Sequence, residues 1–210
     1  MYDPTTAPVA GKEPMLLLDV TGSMNYAASH DSQTPRRIVI QEAISIVVER
    51  LASEDSEASN EEHGGGLRTV TFANGTAKDL EDLNPSNLRA KWERIAWDGG
   101  TLIMPGWNKL IEVYADEFGD RPISQRPKLL ALIITDGEAR DFQKFAETIK
   151  KLGGNIYVEL AIIGYGSEHD NALRSYQQAA DQNPGHVEVR TFGSQTDPQQ
   201  IAEGLLAMIA

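Results

Sequence analysis

MLLLDV (residues 15–20) and KLLALIIT (residues 128–135) hold unbroken apolar runs, MLLL and LLALII, without the alternation of a strand that keeps one face in water. Strands of that kind are buried on both sides, so the chain is driven towards a mainly parallel sheet with helices packed on either face. The rest of the sequence follows the same plan. From about Arg36 onwards, Ile40, Ile44, Val47 and Leu51 recur at helical spacing and make one apolar stripe. LRTVTFAN and GTAKDL read as two strands joined by Asn74-Gly75, a hairpin signal that makes one strand antiparallel. NPSNLRAKWERI (residues 84–95) is expected to hold a short helix with Asn84 or Ser86 near its start. A further helix follows the glycine-rich turn ending at Thr101, and helices over 141–152, 170–182 and 197–209 alternate with the strands YVELAIIG and HVEVRTF. The expected fold is α/β: one doubly wound, mostly parallel six-stranded sheet, with one short antiparallel edge strand and helices on both faces. Residues 1–13 are expected to be an extended lead-in and residues 14–210 a single domain. SEDSEASNEEHGGG (residues 53–66) breaks every periodicity and reads as a solvated acidic loop.

A length of 210 residues suits one well-covered core and is short for two. The formal net charge of −12 argues against a sequence-independent nucleic-acid binder, whose affinity comes from clustered lysine and arginine facing phosphates. A negative field instead favours cations near the surface. With no cysteine in the chain, disulfides, thiolate zinc sites and cysteine nucleophiles are excluded. MYDPTTAPVAGKEP lacks the basic and apolar regions of a signal peptide, and no apolar run approaches the roughly 18 residues of a membrane span. A soluble, cytoplasmic monomer without membrane insertion is the expectation.

Three polar turns carry the chemistry. LLLDVTGSMNY runs from strand into a turn that sets Asp19, Thr21 and Ser23 within five positions; Gly99-Gly100 leads into Thr101; and the second apolar strand ends in Thr135-Asp136-Gly137. In a doubly wound sheet, loops at the carboxyl ends of neighbouring strands line one crevice where the strand order reverses. There the turns bring together the carboxylates of Asp19 and Asp136 and the hydroxyls of Thr21, Ser23 and Thr101, all hard oxygen donors, which suit magnesium, calcium or manganese.

Asp19-Val20-Thr21-Gly22-Ser23, then Thr101, then Asp136-Gly137 resembles the metal-ion-dependent adhesion site of the von Willebrand factor type A family, over roughly residues 14–210. The resemblance implies a Rossmann-like fold and one bound divalent cation, Mg2+ with Mn2+ or Ca2+ as alternatives. It implies hydroxyl ligands in Thr21 and Ser23, a direct or water-bridged ligand in Thr101, and water-mediated roles for Asp19 and Asp136. It also implies a non-enzymatic protein-interaction module whose open coordination position takes a Glu or Asp side chain from a partner protein. Met24, Tyr26 and Trp107 are candidates for the partner-binding rim. Thr21 stands where integrin-type members have serine, and MNYAAS after Ser23 lacks the acidic pair that supports a second ion, so one metal is expected.

Two other functions compete. A magnesium-dependent phosphohydrolase of the haloacid-dehalogenase type also places an aspartate at the end of its first strand, but it needs a second carboxylate two residues on, where this chain has Thr21. A von Willebrand A scaffold with an unused site is the third possibility. IIGYGSEH holds only two of the three glycines of a dinucleotide loop, and His30, His63, His169 and His186 show no zinc spacing.

Overall fold

The computed structural model of the chain describes residues 11–58, 66–137, 139–164 and 169–210. In chain order the elements are β1 (Lys12–Asp19), β2 (Ala27–Ser29), β3 (Ser32–Pro35), α1 (Arg36–Ala58), β4 (Leu67–Ala73), β5 (Thr76–Leu83), α2 (Leu88–Trp92), α3 (Ile103–Phe118), β6 (Lys128–Thr135), α4 (Phe142–Ile149), β7 (Ile156–Ile163), α5 (Asp170–Gln182), β8 (Val187–Gly193) and α6 (Pro198–Ile209). Six strands form one sheet in the order β5-β4-β1-β6-β7-β8. All neighbours run parallel except β4 and β5, whose antiparallel pairing brings Ala73 opposite Thr76 across Asn74-Gly75. Both turn residues have positive φ, 52° and 72°, as a two-residue hairpin of the favoured twist requires.

The double burial of the apolar strands follows from helices on both faces. Met15 and Leu17 of β1 point to one side with Ile133 and Leu160, under Leu110 of α3, Phe145 of α4 and Tyr176 of α5. Leu16 and Leu18 point to the other side with Leu132 and Ile134, under Ile40, Ile44 and Val47 of α1 and Ile201 and Leu205 of α6. Each such side chain, taken fully out of water, contributes about 1.5–3 kcal/mol. Among the described residues, no helix is long and apolar enough to cross a membrane.

One local expectation needs correction, and one pair of strands was not anticipated. The stretch 27–35 forms an antiparallel pair, β2 with β3, separate from the main sheet. Strands of three and four residues with mixed polar content carry no readable alternation. The expected acidic loop from Ser53 is helical as far as Ala58, because its glutamates and alanine extend α1 at little cost in propensity. The rest of that loop with His63, most of the lead-in, and residues 165–168 of IIGYGSEH lie outside the described residues.

Candidate functional site

β1 lies between β4 and β6, and the chain leaves β1 towards β4 but leaves β6 towards β7, so the strand order reverses between β1 and β6. Their registers put the two carboxyl ends side by side: Leu18 faces Ile134, and Asp19 and Thr135 close the two strands. Asp19, Thr135 and Asp136 are each fully buried, and the site grows from them.

Asp19 works as an anchor for hydroxyl groups. Its Oδ1 accepts hydrogen bonds from the Thr21 amide at 3.0 Å and the Thr21 hydroxyl at 2.6 Å. Its Oδ2 accepts from the Thr135 hydroxyl at 2.6 Å, while the Thr135 oxygen accepts from the Gly137 amide at 3.1 Å. The Thr21 hydroxyl in turn accepts from Thr101 at 3.1 Å and lies 3.2 Å from the Ser23 hydroxyl. Since the Thr21 proton is given to Asp19, the pair with Ser23 is donated by Ser23. Three hydroxyls from two distant loops are thus oriented by one carboxylate.

The loop carrying Thr101 is held by backbone contacts. Gly22 donates to the Gly99 carbonyl at 3.1 Å, Asn74 to the Gly100 carbonyl at 2.9 Å, and the Asn74 side chain accepts from the Gly100 amide at 2.9 Å. Gly99 has φ +86°, and a Cβ there would stand 1.8 Å from the Asn74 amide oxygen, so only glycine fits this approach. Arg140 donates to the Thr101 carbonyl at 3.0 Å, and Asp141 caps the start of α3 through the Ile103 and Met104 amides at 2.8 and 3.0 Å.

Two buried carboxylates in one crevice are electrostatically costly. Burial, then the negative charge of Asp136, pushes the Asp19 carboxyl up from an ordinary 3.8 to about 7, against the opposing hydrogen bonds from Thr135 and Thr21. Asp136 has a cation beside it: Arg36, the first residue of α1 and only 2% exposed, donates from Nη1 to Asp136 Oδ2 at 3.0 Å. Among the described residues, no three histidine, aspartate or glutamate side chains cluster as ligands.

Compared by sequence, the chain matches no family model and no curated protein. Solved structures do resemble it. PilB minor pilin from Streptococcus sanguinis is similar with a TM-score of 0.63 at 15% identity, over 97% of this chain. The chain spans 63% of that pilin's length. The SpRpn10 VWA domain is similar with a TM-score of 0.61 at 13% identity, over 94% of both chains. This is the von Willebrand factor type A fold. The manganese-loaded TRAP protein from Plasmodium vivax shares it too, with a TM-score of 0.59 at 15% identity, over 95% of this chain and 74% of that one.

On this von Willebrand A fold, the five oxygen-bearing residues Asp19, Thr21, Ser23, Thr101 and Asp136 come together at one end of the sheet, and the expected rim does not. Met24 is fully buried in the core beneath α1, and Trp107, 4% exposed, meets Phe145 edge-on at 5.6 Å. Both are core residues, because the turn after Ser23 and the face of α3 point inward where they stand. Tyr26 is 61% exposed, with its ring 5.9 Å from the Arg36 guanidinium carbon. Arg36 is the participant that sequence pattern alone missed, and Thr135, visible there only as part of its turn, had no role assigned to it. A hydroxyl ending an otherwise apolar buried strand was the available signal for Thr135, since a buried donor needs a partner.

Proposed function

We propose that this von Willebrand A domain is a metal-dependent protein-interaction module. One divalent cation, Mg2+ in the first instance, is held by the Thr21, Ser23 and Thr101 hydroxyls, with Asp19 and Asp136 acting through water. The residues present fit such an ion. The donors are all hard oxygens, the Ser23 and Thr101 hydroxyls are oriented through Thr21 by Asp19, and two carboxylates are buried beside them. When bound, the ion supplies a Lewis-acidic position that takes an anionic oxygen, and the occupant in this reading is a Glu or Asp side chain of a protein partner. The observation that carries the reading is the hydrogen-bonded run Thr101–Thr21–Asp19, which links side chains 80 residues apart at the switch point of the sheet. The manganese-loaded state of the similar TRAP protein supports it.

The phosphohydrolase alternative fares worse on geometry. Both Asp19 oxygens are taken by hydroxyls and an amide, and the carboxylate is fully buried, so it is not placed to attack phosphorus. Phosphate release from a generic phosphoester in Mg2+ is expected to be absent.

The test is thermal unfolding and calorimetric titration with Mg2+. Free metal at a hundred times its dissociation constant should stabilise the fold by about 2.7 kcal/mol. Thr101→Ala should remove most of that gain while changing stability in chelator far less. Equal melting temperatures for the parent in millimolar Mg2+ and in excess chelator would refute the reading.

A further inference from the structure

A site built only to hold a cation would not place a guanidinium on one of its two carboxylates, yet Arg36 does this. Its Nη1 lies 3.0 Å from Asp136 Oδ2, with the two side chains 3% and 0% exposed. The arginine is fixed from several directions. It opens α1, and its backbone amide donates to the Tyr26 carbonyl at 2.9 Å. Nη1 also lies 3.5 Å from the Ser23 carbonyl, within the metal turn itself. The guanidinium carbon rests against Gly164, where a Cβ would approach it to 3.1 Å, and the Tyr26 ring stands 5.9 Å away on the outer side. The neighbouring Arg37 has a different setting: its Nε donates to the exposed Asn25 side chain at 2.7 Å.

We infer that Arg36 is a resident counter-cation of the site, which weakens its hold on the metal ion and strengthens its hold on the carboxylate that completes the metal's coordination. This rests on the metal-dependent interaction proposed above. The argument is one of charge. Arg36 adds one positive charge 3.0 Å from an Asp136 oxygen, which opposes a bound dication and favours an arriving carboxylate. Without Arg36 the loaded site would carry one positive charge less, and the same carboxylate would be held less well. At such burial a unit charge a few ångströms away outweighs most other terms. Arg36 therefore makes the domain selective for an anionic occupant and lets it fold before metal arrives.

Mg2+ titration calorimetry on the parent, Arg36→Gln, Arg36→Lys and Arg37→Gln tests this, each in chloride and in acetate as the carboxylate probe, with circular dichroism to follow folding. Arg36→Gln should bind Mg2+ at least about tenfold more tightly than the parent in chloride. Arg36→Lys and Arg37→Gln should stay close to the parent. Acetate should raise the apparent Mg2+ affinity of the parent more than that of Arg36→Gln, as linkage between ion and carboxylate demands. If Arg36→Gln is unfolded in chelator, Mg2+ should refold it by supplying the missing charge. Parent binding with equal or weaker binding by folded Arg36→Gln overturns the inference and leaves the metal site standing. So does an Arg36→Gln that stays unfolded in saturating Mg2+, or an Arg36→Lys that behaves like Arg36→Gln. Absence of Mg2+ binding by both the parent and a folded Arg36→Gln overturns the metal reading and the inference together.

Discussion

Thr135→Val isolates the contribution of a single hydroxyl to the site, because valine fills nearly the same volume and leaves no cavity. In the parent the Thr135 oxygen donates to Asp19 Oδ2 at 2.6 Å and accepts from the Gly137 amide at 3.1 Å, with all three groups away from water. The substitution leaves a buried carboxylate oxygen without that donor and a buried amide without that acceptor. Each such loss costs about 1–3 kcal/mol, more for the charged partner, and the added apolar methyl recovers part of it, so a net destabilisation of about 2–4 kcal/mol is expected. Urea unfolding in chelator, at a pH above 7 where Asp19 is ionised, reads the effect without metal linkage. Thr135→Ser is the control: it keeps the hydroxyl, loses one buried methyl, and should cost only about 1 kcal/mol. A Thr135→Val that unfolds within about 0.5 kcal/mol of the parent, or a Thr135→Ser that is the worse of the two, would show that the hydroxyl does not anchor Asp19.

Two further outcomes follow from particular contacts. Because burial and Asp136 raise the folded-state Asp19 carboxyl from 3.8 to about 7, its contribution to stability is present below about pH 4 and is lost as pH rises towards 7. Chelated parent should therefore lose stability over that window relative to Asp19→Asn, and parallel pH profiles for the two proteins would contradict the assignment. Gly106→Ala in α3 would place a Cβ 2.8 Å from Phe72 Cβ and 2.9 Å from Leu17 Cδ1, so despite better helix propensity it should destabilise by about 1–3 kcal/mol in urea, and a gain in stability would show that α3 has room to shift.

Most of the layered architecture was legible in the sequence because it is written in local periods. The unbroken runs at β1 and β6 demanded burial on both faces, the stripe from Ile40 to Leu51 demanded a helix, and Asn74-Gly75 demanded a hairpin. The oxygen donors of the site were legible as well, since strand-end turns at a switch point meet whatever lies between them. What stayed hidden depends on distances that no local pattern encodes. Arg36 and Asp136 are 100 positions apart, and an arginine at the start of a helix reads as a solvated charge until its partner is seen. Met24 directly follows the Asp19–Ser23 turn in sequence as a rim residue would, but the short 3-10 turn over Gly22–Asn25 rotates it inward beneath α1. The β2–β3 pair carries too few residues for a period to show.

Under the proposed metal-dependent function, the same geometry accounts for how neutral ligands would be kept in place. Threonine and serine hydroxyls are weak donors to a cation and rotate freely, so alone they would bind poorly and in several orientations. Asp19 removes that freedom by accepting the Thr21 hydrogen bond, and Thr101 and Ser23 then donate to Thr21, so the remaining lone pairs of Thr101 and Ser23 have set directions. A direct carboxylate ligand would hold the cation more strongly, but it would also use up the ion's charge and leave less for an incoming carboxylate. In the proposed function, keeping Asp19 behind the hydroxyls and Arg36 on Asp136 acts in one direction: both would leave more of the ion's charge for an incoming carboxylate. On this account the burial of Asp19 is a consequence of its work, and exchanging Thr21 for aspartate should tighten metal binding while weakening the response to added carboxylate.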